Sequence, residues 1–99
     1  VLTNKTIIMP FVLNFKPQGF TAAIYDETLK QLNAAGASAP KGRSYHVCYG
    51  DPKGINVTDV WESMEDFQAF GQTLLPIMQS LGVDPGQPDV QEVHNIVKG

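Results

Sequence analysis

The chain has 99 residues, of which 42% are hydrophobic and 17% charged, so it can bury a core and is not a disordered segment. This length is enough for one compact domain, which we expect to span residues 1–99. Seven Lys and Arg residues against ten Asp and Glu residues give a net charge of −3, which excludes the basic stripe of a nucleic-acid-binding protein. The single cysteine, Cys48, excludes an internal disulfide and a cysteine-based zinc site.

Neither a membrane partner nor a nucleotide cofactor is expected. The longest apolar stretch, residues 7–13, has seven residues with Pro10 included, against the ~20 that a membrane span requires. The apolar run after Lys5 is too short for a signal peptide, and Pro10 interrupts it, so we expect a cytoplasmic protein. Glycine-rich phosphate loops and nucleophile elbows are absent, so no cofactor is predicted.

The first half of the chain predicts a strand and then a helix. Residues 6–15 alternate in a strand-like pattern, but Pro10 cannot donate to a ladder, so pairing should begin at Phe11. From Thr21 the period changes to that of a helix, which Gly36 ends. Its apolar residues recur at spacings of four and three: Tyr25, Leu29 and Leu32.

The second half predicts a hairpin, a helix and a last strand. Residues 44–49 and 55–61 are β-rich runs on either side of a Gly-Asp-Pro-Lys-Gly turn. The second helix begins at Ser63 and ends at Gly82, and Pro76 should kink it or split it near residues 72–73. Residues 90–98 are expected to form the final strand.

This βαββαβ order predicts an α+β ferredoxin-like sandwich, with the first strand beside the third and both helices on one face of a four-stranded antiparallel sheet. Both parities of the last two strands carry large apolar residues. In the third strand, one parity carries Ile55, Val57 and Trp61 and the other carries Val60. In the last strand, one parity carries Ile96 and the other carries Val93 and Val97. Both faces of the sheet therefore need cover, and a second copy of the chain, packed sheet to sheet, predicts a homodimer.

The junction of residues 60–63 (Val-Trp-Glu-Ser), followed by an acidic helix start and Phe67, resembles the dimeric α/β-barrel superfamily. Within that superfamily, the resemblance is to the antibiotic-biosynthesis-monooxygenase-like domains. Tyr25-Asp26 and Val93-His94-Asn95 are similar to a small, mostly uncharacterised branch of that group. The resemblance covers nearly the whole chain and implies a dimeric barrel with a cavity for a small aromatic compound.

Two departures from this group bear on activity. Haem-degrading members carry a Trp in the second helix and a later His, whereas this chain has Phe70 at the first position and no His in residues 71–81. Monooxygenase members that oxidise polyphenolic rings have a Trp, which Trp61 matches, and a Tyr, which Phe67 replaces. Haem degradation is therefore disfavoured, and the resemblance leaves the reaction open.

Asp59 and Trp61 share one strand face, and we expect this face to border the dimer cavity, because a carboxylate is costly to bury beneath helices without a partner. Asp59 is a candidate general base or orienting group, and the alternative is a simple hydrogen-bonded carboxylate at a strand end. Trp61 either stacks on an aromatic ligand or only packs in the core.

His46 and His94 are the acid–base candidates near neutral pH. They fall on opposite edge strands, separated by three steps of ~4.8 Å, so they can meet only between the subunits of a dimer. Glu92 with His94 and a partner-chain His46 would make a weak metal site. The alternative is that both are hydrogen-bonded strand histidines, and no metal is predicted.

Two further residues are predicted to line the pocket. Asn14 interrupts the apolar first strand, where its amide either satisfies a buried group or points at a ligand. Tyr25 follows the helical spacing, with its hydroxyl at the cavity rim.

Three functions remain open. The first is a cofactor-independent monooxygenase-like enzyme, or a binder of small aromatic compounds, with His46 or His94 as base and Asp59 orienting it. The second is a non-catalytic, dimeric, stress- or pathway-associated accessory protein. The third, haem or metal handling, has the weakest support in the sequence.

Overall fold

The computed structural model describes residues 10–99, which contain a four-stranded antiparallel sheet in the order β2-β3-β1-β4 with two helices. This α+β, ferredoxin-like arrangement is the predicted fold class. The predicted strand residues 6–9 lie outside the described part of the chain. The elements are β1 (Phe11–Phe15), α1 (Ala22–Ala34), β2 (Arg43–Asp51), β3 (Gly54–Trp61), α2 (Met64–Ser80) and β4 (Asp89–Glu92).

Both helices begin at the residues that the sequence indicates. Thr21 caps α1 by accepting a hydrogen bond from the Ile24 amide at 3.2 Å, and Ser63 caps α2 by accepting one from the Asp66 amide at 3.1 Å. These side chains satisfy amides that the first turn of a helix leaves unpaired. No helix within residues 10–99 is long and apolar enough to cross a membrane.

Of the two expectations for Pro76, a kink or a split, the split is wrong, because α2 runs as one helix from Met64 to Ser80. Proline removes one hydrogen bond to the carbonyl four residues earlier, here that of Gln72. Pro76 and Gln72 are both exposed, so water can satisfy that carbonyl. The helix therefore tolerates the residue on its solvent side.

The β2–β3 hairpin contains an irregularity that positions one side chain. His46 lies opposite Asp59 and Tyr45 lies opposite Val60, but the next residue to pair is Arg43, opposite Trp61. Ser44 is thus an extra residue in β2, a β-bulge. Arg43 consequently joins the sheet face that carries His46, although three residues separate the two in sequence.

The two faces of the sheet differ in burial. Alternate residues of β3, from Ile55 to Trp61, are buried against the helices, while Asn56, Thr58 and Val60 on the other face are half-buried. Asp59 (5% exposed) and Trp61 (0%) therefore point toward α1 and α2. The prediction that this face borders a dimer cavity is wrong, because Asp59 finds partners beneath the helices within its own chain.

β4 is shorter than predicted and ends at Glu92 instead of residue 98. The Val93 amide still donates to the Pro10 carbonyl at 2.8 Å, and residues 94–99 are exposed without strand structure. His94, Ile96 and Val97 consequently lie beyond the strand. Ile96 and Val97, from which the sequence predicted that both faces of the last strand need cover, therefore do not belong to the sheet.

In the part of the chain that the structure describes, the core between sheet and helices has two clusters of buried residues. One is centred on Phe20, Ile55 and Met78, and the other on Leu13, Leu32, Trp61 and Phe70. The ring of Trp61 lies 5.5 Å from the rings of both Phe67 and Phe70. A candidate functional site lies where these clusters approach α1 and the β2 edge.

A candidate acid–base site between sheet and helices

A cavity of about 70 Å³ lies between the helix-facing side of the sheet and the two helices. Most of its lining is apolar, and five polar residues contribute to it: Tyr25, Thr28, Arg43, His46 and Asp59. Ligand pockets usually measure ~300–1,000 Å³, so this cavity is much smaller, and a ring compound can enter it only if lining side chains move.

Four side chains form a continuous chain of hydrogen bonds along this cavity. The Tyr25 hydroxyl lies 2.6 Å from Nε2 of His46, and Nδ1 of His46 lies 2.5 Å from Oδ1 of Asp59. The Trp61 indole donates to Oδ2 of Asp59 at 3.2 Å. Within residues 10–99, no buried side-chain nitrogen or oxygen is left without a partner.

These contacts indicate where the protons lie when the imidazole of His46 is neutral. Trp61 can only donate, and an ionised Asp59 can only accept, so its second oxygen accepts the Nδ1–H of His46. Nε2 of the neutral imidazole is then an acceptor, and the Tyr25 hydroxyl donates to it. The order matches a nucleophile–histidine–carboxylate triad, with a phenol in the place of the nucleophile.

The sequence produces this arrangement through strand register and helix spacing. His46 and Asp59 are opposite partners on neighbouring strands, so their side chains emerge together on one face. Trp61 follows Asp59 by two residues and shares that face. Tyr25 approaches from α1, where its ring lies parallel to His46 at an angle of 5° and a centroid distance of 5.8 Å.

Burial raises the pKa of the Tyr25 hydroxyl above its ordinary value of 10.0, and the negative charges of Cys48, Asp59 and Asp26 act in the same direction. The positive charge of Arg43 opposes them and lowers it. The phenol therefore stays protonated at neutral pH and serves as a hydrogen-bond donor to His46.

Arg43 is a polar lining residue that sequence reasoning missed. Its guanidinium carbon lies 5.6 Å from the centre of the Phe70 ring, and Nη2 donates to the Ser38 carbonyl at 3.2 Å. Regular alternation along β2 puts Arg43 and His46 on opposite faces, and no signal in the sequence reveals the bulge at Ser44. Its being the only arginine in the chain was the one available hint.

The structure brings together four of the six predicted site residues, namely Tyr25, His46, Asp59 and Trp61. Trp61, predicted to line the pocket, does not line the cavity and is fully buried in the core, which is the packing alternative considered for it. Asn14 lies on the opposite sheet face, where its amide oxygen accepts from the Thr58 hydroxyl at 2.6 Å. This hydrogen bond is the structural alternative considered for Asn14.

His94 lies beyond the end of β4 and is exposed, on the side of the sheet farthest from β2. His94 therefore does not contact the other site residues of the same chain, and its catalytic role stays a prediction. Among the described residues, no group of three or more His, Cys, Asp or Glu side chains is arranged to hold a metal ion.

Comparison with known proteins reveals similarity at the level of fold. No family model and no curated protein sequence matches the chain. Among solved structures, SnoaB, a cofactor-independent oxygenase from Streptomyces nogalater, is 15% identical, with 91% of this chain and 94% of that chain covered and a TM-score of 0.53.

Two candidate antibiotic biosynthesis monooxygenases are similar to the same extent. For that of Chloroflexus aurantiacus the identity is 18%, the coverage 92% of this chain and 95% of that chain, and the TM-score 0.51. For that of Caulobacter crescentus the identity is 16%, the coverage 90% of each chain, and the TM-score 0.54. Proteins of unknown function have this fold as well. The chain thus has the antibiotic-biosynthesis-monooxygenase-like fold that the sequence resemblance implied.

Proposed function

We propose that this protein is a cofactor-independent, monooxygenase-like enzyme that removes a proton from a small apolar compound. The observation that carries the proposal is the Tyr25–His46–Asp59 chain of hydrogen bonds along an apolar cavity. A base in such a cavity acts in a medium of low polarity, where orientation and exclusion of water favour proton transfer. The fold shared with a cofactor-independent oxygenase is consistent with this chemistry.

The proton would leave the substrate by way of Tyr25. Nε2 of His46 is occupied by the Tyr25 hydroxyl, so the substrate meets the phenol oxygen first. As Tyr25 accepts the substrate's proton, it passes its own to Nε2 of His46. The resulting imidazolium is paired with Asp59, so the transfer creates one cation beside a carboxylate that already faces it.

The substrate then supplies the electrons for the reaction with oxygen. Deprotonation of a C–H group beside a carbonyl gives an enolate, and that enolate transfers an electron to O₂ and combines with the superoxide to form a peroxide. The proton held on His46 returns to the peroxide, and loss of water leaves a new carbonyl group. For an anthrone-type compound the balance is one substrate and one O₂ giving one quinone and one water.

A second candidate, a non-catalytic accessory protein, has one observation in its favour. The cavity is small, and the hydrogen bonds of His46 and Asp59 are satisfied by neighbouring side chains. A purely structural network would have the same geometry. The two functions differ in whether the site exchanges protons with an added compound.

We also infer that the chain forms a homodimer through the sheet face that lacks helices. This open face carries Tyr45 (56% exposed) and Tyr49 (42% exposed) on β2, beside the half-buried Val47 and Val60. Asn14, Asn56 and Thr58 make it mixed in polarity, unlike the apolar face that the sequence suggested. A second copy presents the same tyrosines about a two-fold axis, so each sheet covers the other.

Oxygen consumption tests the proposed activity. Purified protein is mixed with anthrone, and with the smaller ketone 2-indanone, in an oxygen electrode, with His46→Gln as the test variant and Tyr45→Phe on the open face as the control. We expect the wild type and Tyr45→Phe to consume oxygen with at least one compound and His46→Gln to lose at least 100-fold of that rate. Equal rates in all three proteins, or none in the wild type, would contradict the proposal.

A further inference from the structure

We propose that Arg43 makes the cavity selective for apolar compounds that carry a carboxylate. The inference rests on the proposed function and names its preferred class of substrate: a carboxylate strengthens binding, and neutral ketones such as anthrone and 2-indanone remain weaker substrates. The carboxylate would bind the guanidinium at one end of the cavity, and the apolar body would extend toward Tyr25 and His46.

The β-bulge at Ser44 is the first support. Without the extra residue, Arg43 would point to the open sheet face, because residues three apart in a regular strand lie on opposite faces. With it, Arg43 lies opposite Trp61 and lines the cavity. Bulges often re-aim a side chain beside a functional site.

The free hydrogen-bonding capacity of Arg43 is the second support. Of its five N–H groups, one donates to the Ser38 carbonyl, and within residues 10–99 no carboxylate lies within 4.0 Å of the guanidinium. A planar guanidinium suits the two oxygens of a carboxylate better than the point charge of a lysine does. Phe70 fixes the group from one side through a cation–π contact.

The charges along the cavity are compatible with an anion at this end. Within residues 10–99, Asp59 is the only carboxylate that lines the cavity, and its two oxygens are engaged by His46 and Trp61. Arg43 and His46 lie opposite positions two residues apart on β3, which corresponds to ~7 Å along the strand. A one- or two-ring compound spans that distance.

Binding measurements with matched acids and amides test the inference. Benzoate and benzamide, and 2-naphthoate and 2-naphthamide, are titrated into the protein at pH 7 under nitrogen and followed by protein NMR. We expect each carboxylate to bind the wild type about tenfold or more tightly than its neutral amide. Carboxylates that bind no better than the amides, or that do not bind, would overturn the proposal.

Four variants locate the selectivity. Arg43→Gln should bind acid and amide alike. Arg43→Lys should keep part of the preference, because lysine retains the positive charge and lacks the paired N–H donors of the guanidinium. Lys41→Gln removes the same charge two residues away on the exposed loop and should keep the full preference. His46→Gln should also keep it. A preference lost in Lys41→Gln, or lost in His46→Gln and kept in Arg43→Gln, would contradict the assignment to Arg43.

These titrations involve no turnover, so their outcome is separable from that of the oxygen measurement. Acid selectivity without oxygen consumption would refute the proposed activity alone. Oxygen consumption without acid selectivity would refute the role of Arg43 alone.

Discussion

Nδ1 of His46 lies 2.5 Å from Oδ1 of Asp59, and this contact fixes which nitrogen of the imidazole carries the proton. An ionised Asp59 has no hydrogen to donate, so Oδ2 accepts from the Trp61 indole and Oδ1 accepts from Nδ1 of His46. The opposite ring nitrogen is left as an acceptor that faces Tyr25. The base of the proposed reaction is therefore oriented by a residue on the neighbouring strand.

Exchange of Asp59 for Asn should reverse this tautomer. The amide oxygen of Asn can accept from Trp61, and its NH₂ group then donates to Nδ1 of His46, which moves the imidazole proton to Nε2. Asp59→Asn should consequently reduce the proton-transfer rate by about 10³-fold. Nitrogen-15 shifts of the His46 ring report the tautomer directly. Asp51→Asn, in the hairpin turn, should leave both the shifts and the rate as in the wild type.

The buried hydroxyl of Tyr25 makes stability depend on pH in the alkaline range. Its pKa is raised in the folded state, so the folded protein holds this proton more tightly than the unfolded chain does. The contribution is complete below the ordinary value of 10.0 and is lost as pH rises through the higher folded value. Urea unfolding between pH 8 and 11 should therefore reveal a steeper loss in the wild type than in Tyr25→Phe.

Cys48 also makes the protein lose stability as the pH rises, because burial raises the pKa of its thiol above 9.0. The comparison is thus with Tyr45→Phe, which keeps both Cys48 and Tyr25 and removes a phenol from the exposed face. If Tyr25→Phe and Tyr45→Phe lose stability equally steeply with pH, the buried hydroxyl has no such effect.

Gly42 holds the turn that leads into Arg43 and should tolerate no side chain. Its φ is +85°, and a Cβ atom there would lie 2.6 Å from Cβ of Asp66. Gly36 also has a positive φ, +72°, but has open space around it. Gly36→Ala should cost about 1 kcal/mol of unfolding free energy, and Gly42→Ala about 2–4 kcal/mol. Equal losses of unfolding free energy in urea titrations would show that the Asp66 side chain moves aside without cost, and would contradict this prediction.

The open sheet face should determine the oligomeric state. Sedimentation velocity at micromolar concentration is expected to detect a dimer of the wild type and a monomer of Tyr45→Glu, since a buried unpaired carboxylate is costly. Leu75→Glu, which places the same charge on the 43%-exposed Leu75 of α2, should remain a dimer. A monomeric wild type, or dissociation by Leu75→Glu alone, would refute the proposed interface.

Much of the fold followed from local patterns in the sequence. The start of α1 near Thr21, the start of α2 at Ser63 and the hairpin turn depend on short-range chemistry that single residues reveal. The strand order follows from the handedness of crossover connections. The length of β4 did not follow, because an apolar tail such as Ile96-Val97 has the same alternation whether or not it pairs with a neighbouring strand.

The site was predictable in its residues and not in its position. Asp59 was expected to face a dimer cavity because a buried carboxylate needs partners, and the partners turned out to be His46 and Trp61 of the same chain. The sequence pairs Asp59 with Trp61 by parity, and His46 lies opposite Asp59 because the hairpin register is regular from the turn back to Tyr45. Arg43 could not be found, because only the bulge at Ser44 brings it onto the same sheet face.

The proposed activity requires the hydrogen-bonded chain Tyr25–His46–Asp59 to take a proton from a bound compound. Anaerobic exchange of the acidic C–H hydrogens of 2-indanone and anthrone for deuterium, followed by proton NMR in D₂O, measures that step without oxygen chemistry. We predict that wild type and Tyr45→Phe accelerate the exchange well above buffer, and that His46→Gln and Tyr25→Phe lower the acceleration by about 100-fold or more. Exchange at the buffer rate with the wild-type protein, or undiminished exchange with His46→Gln, would contradict the account.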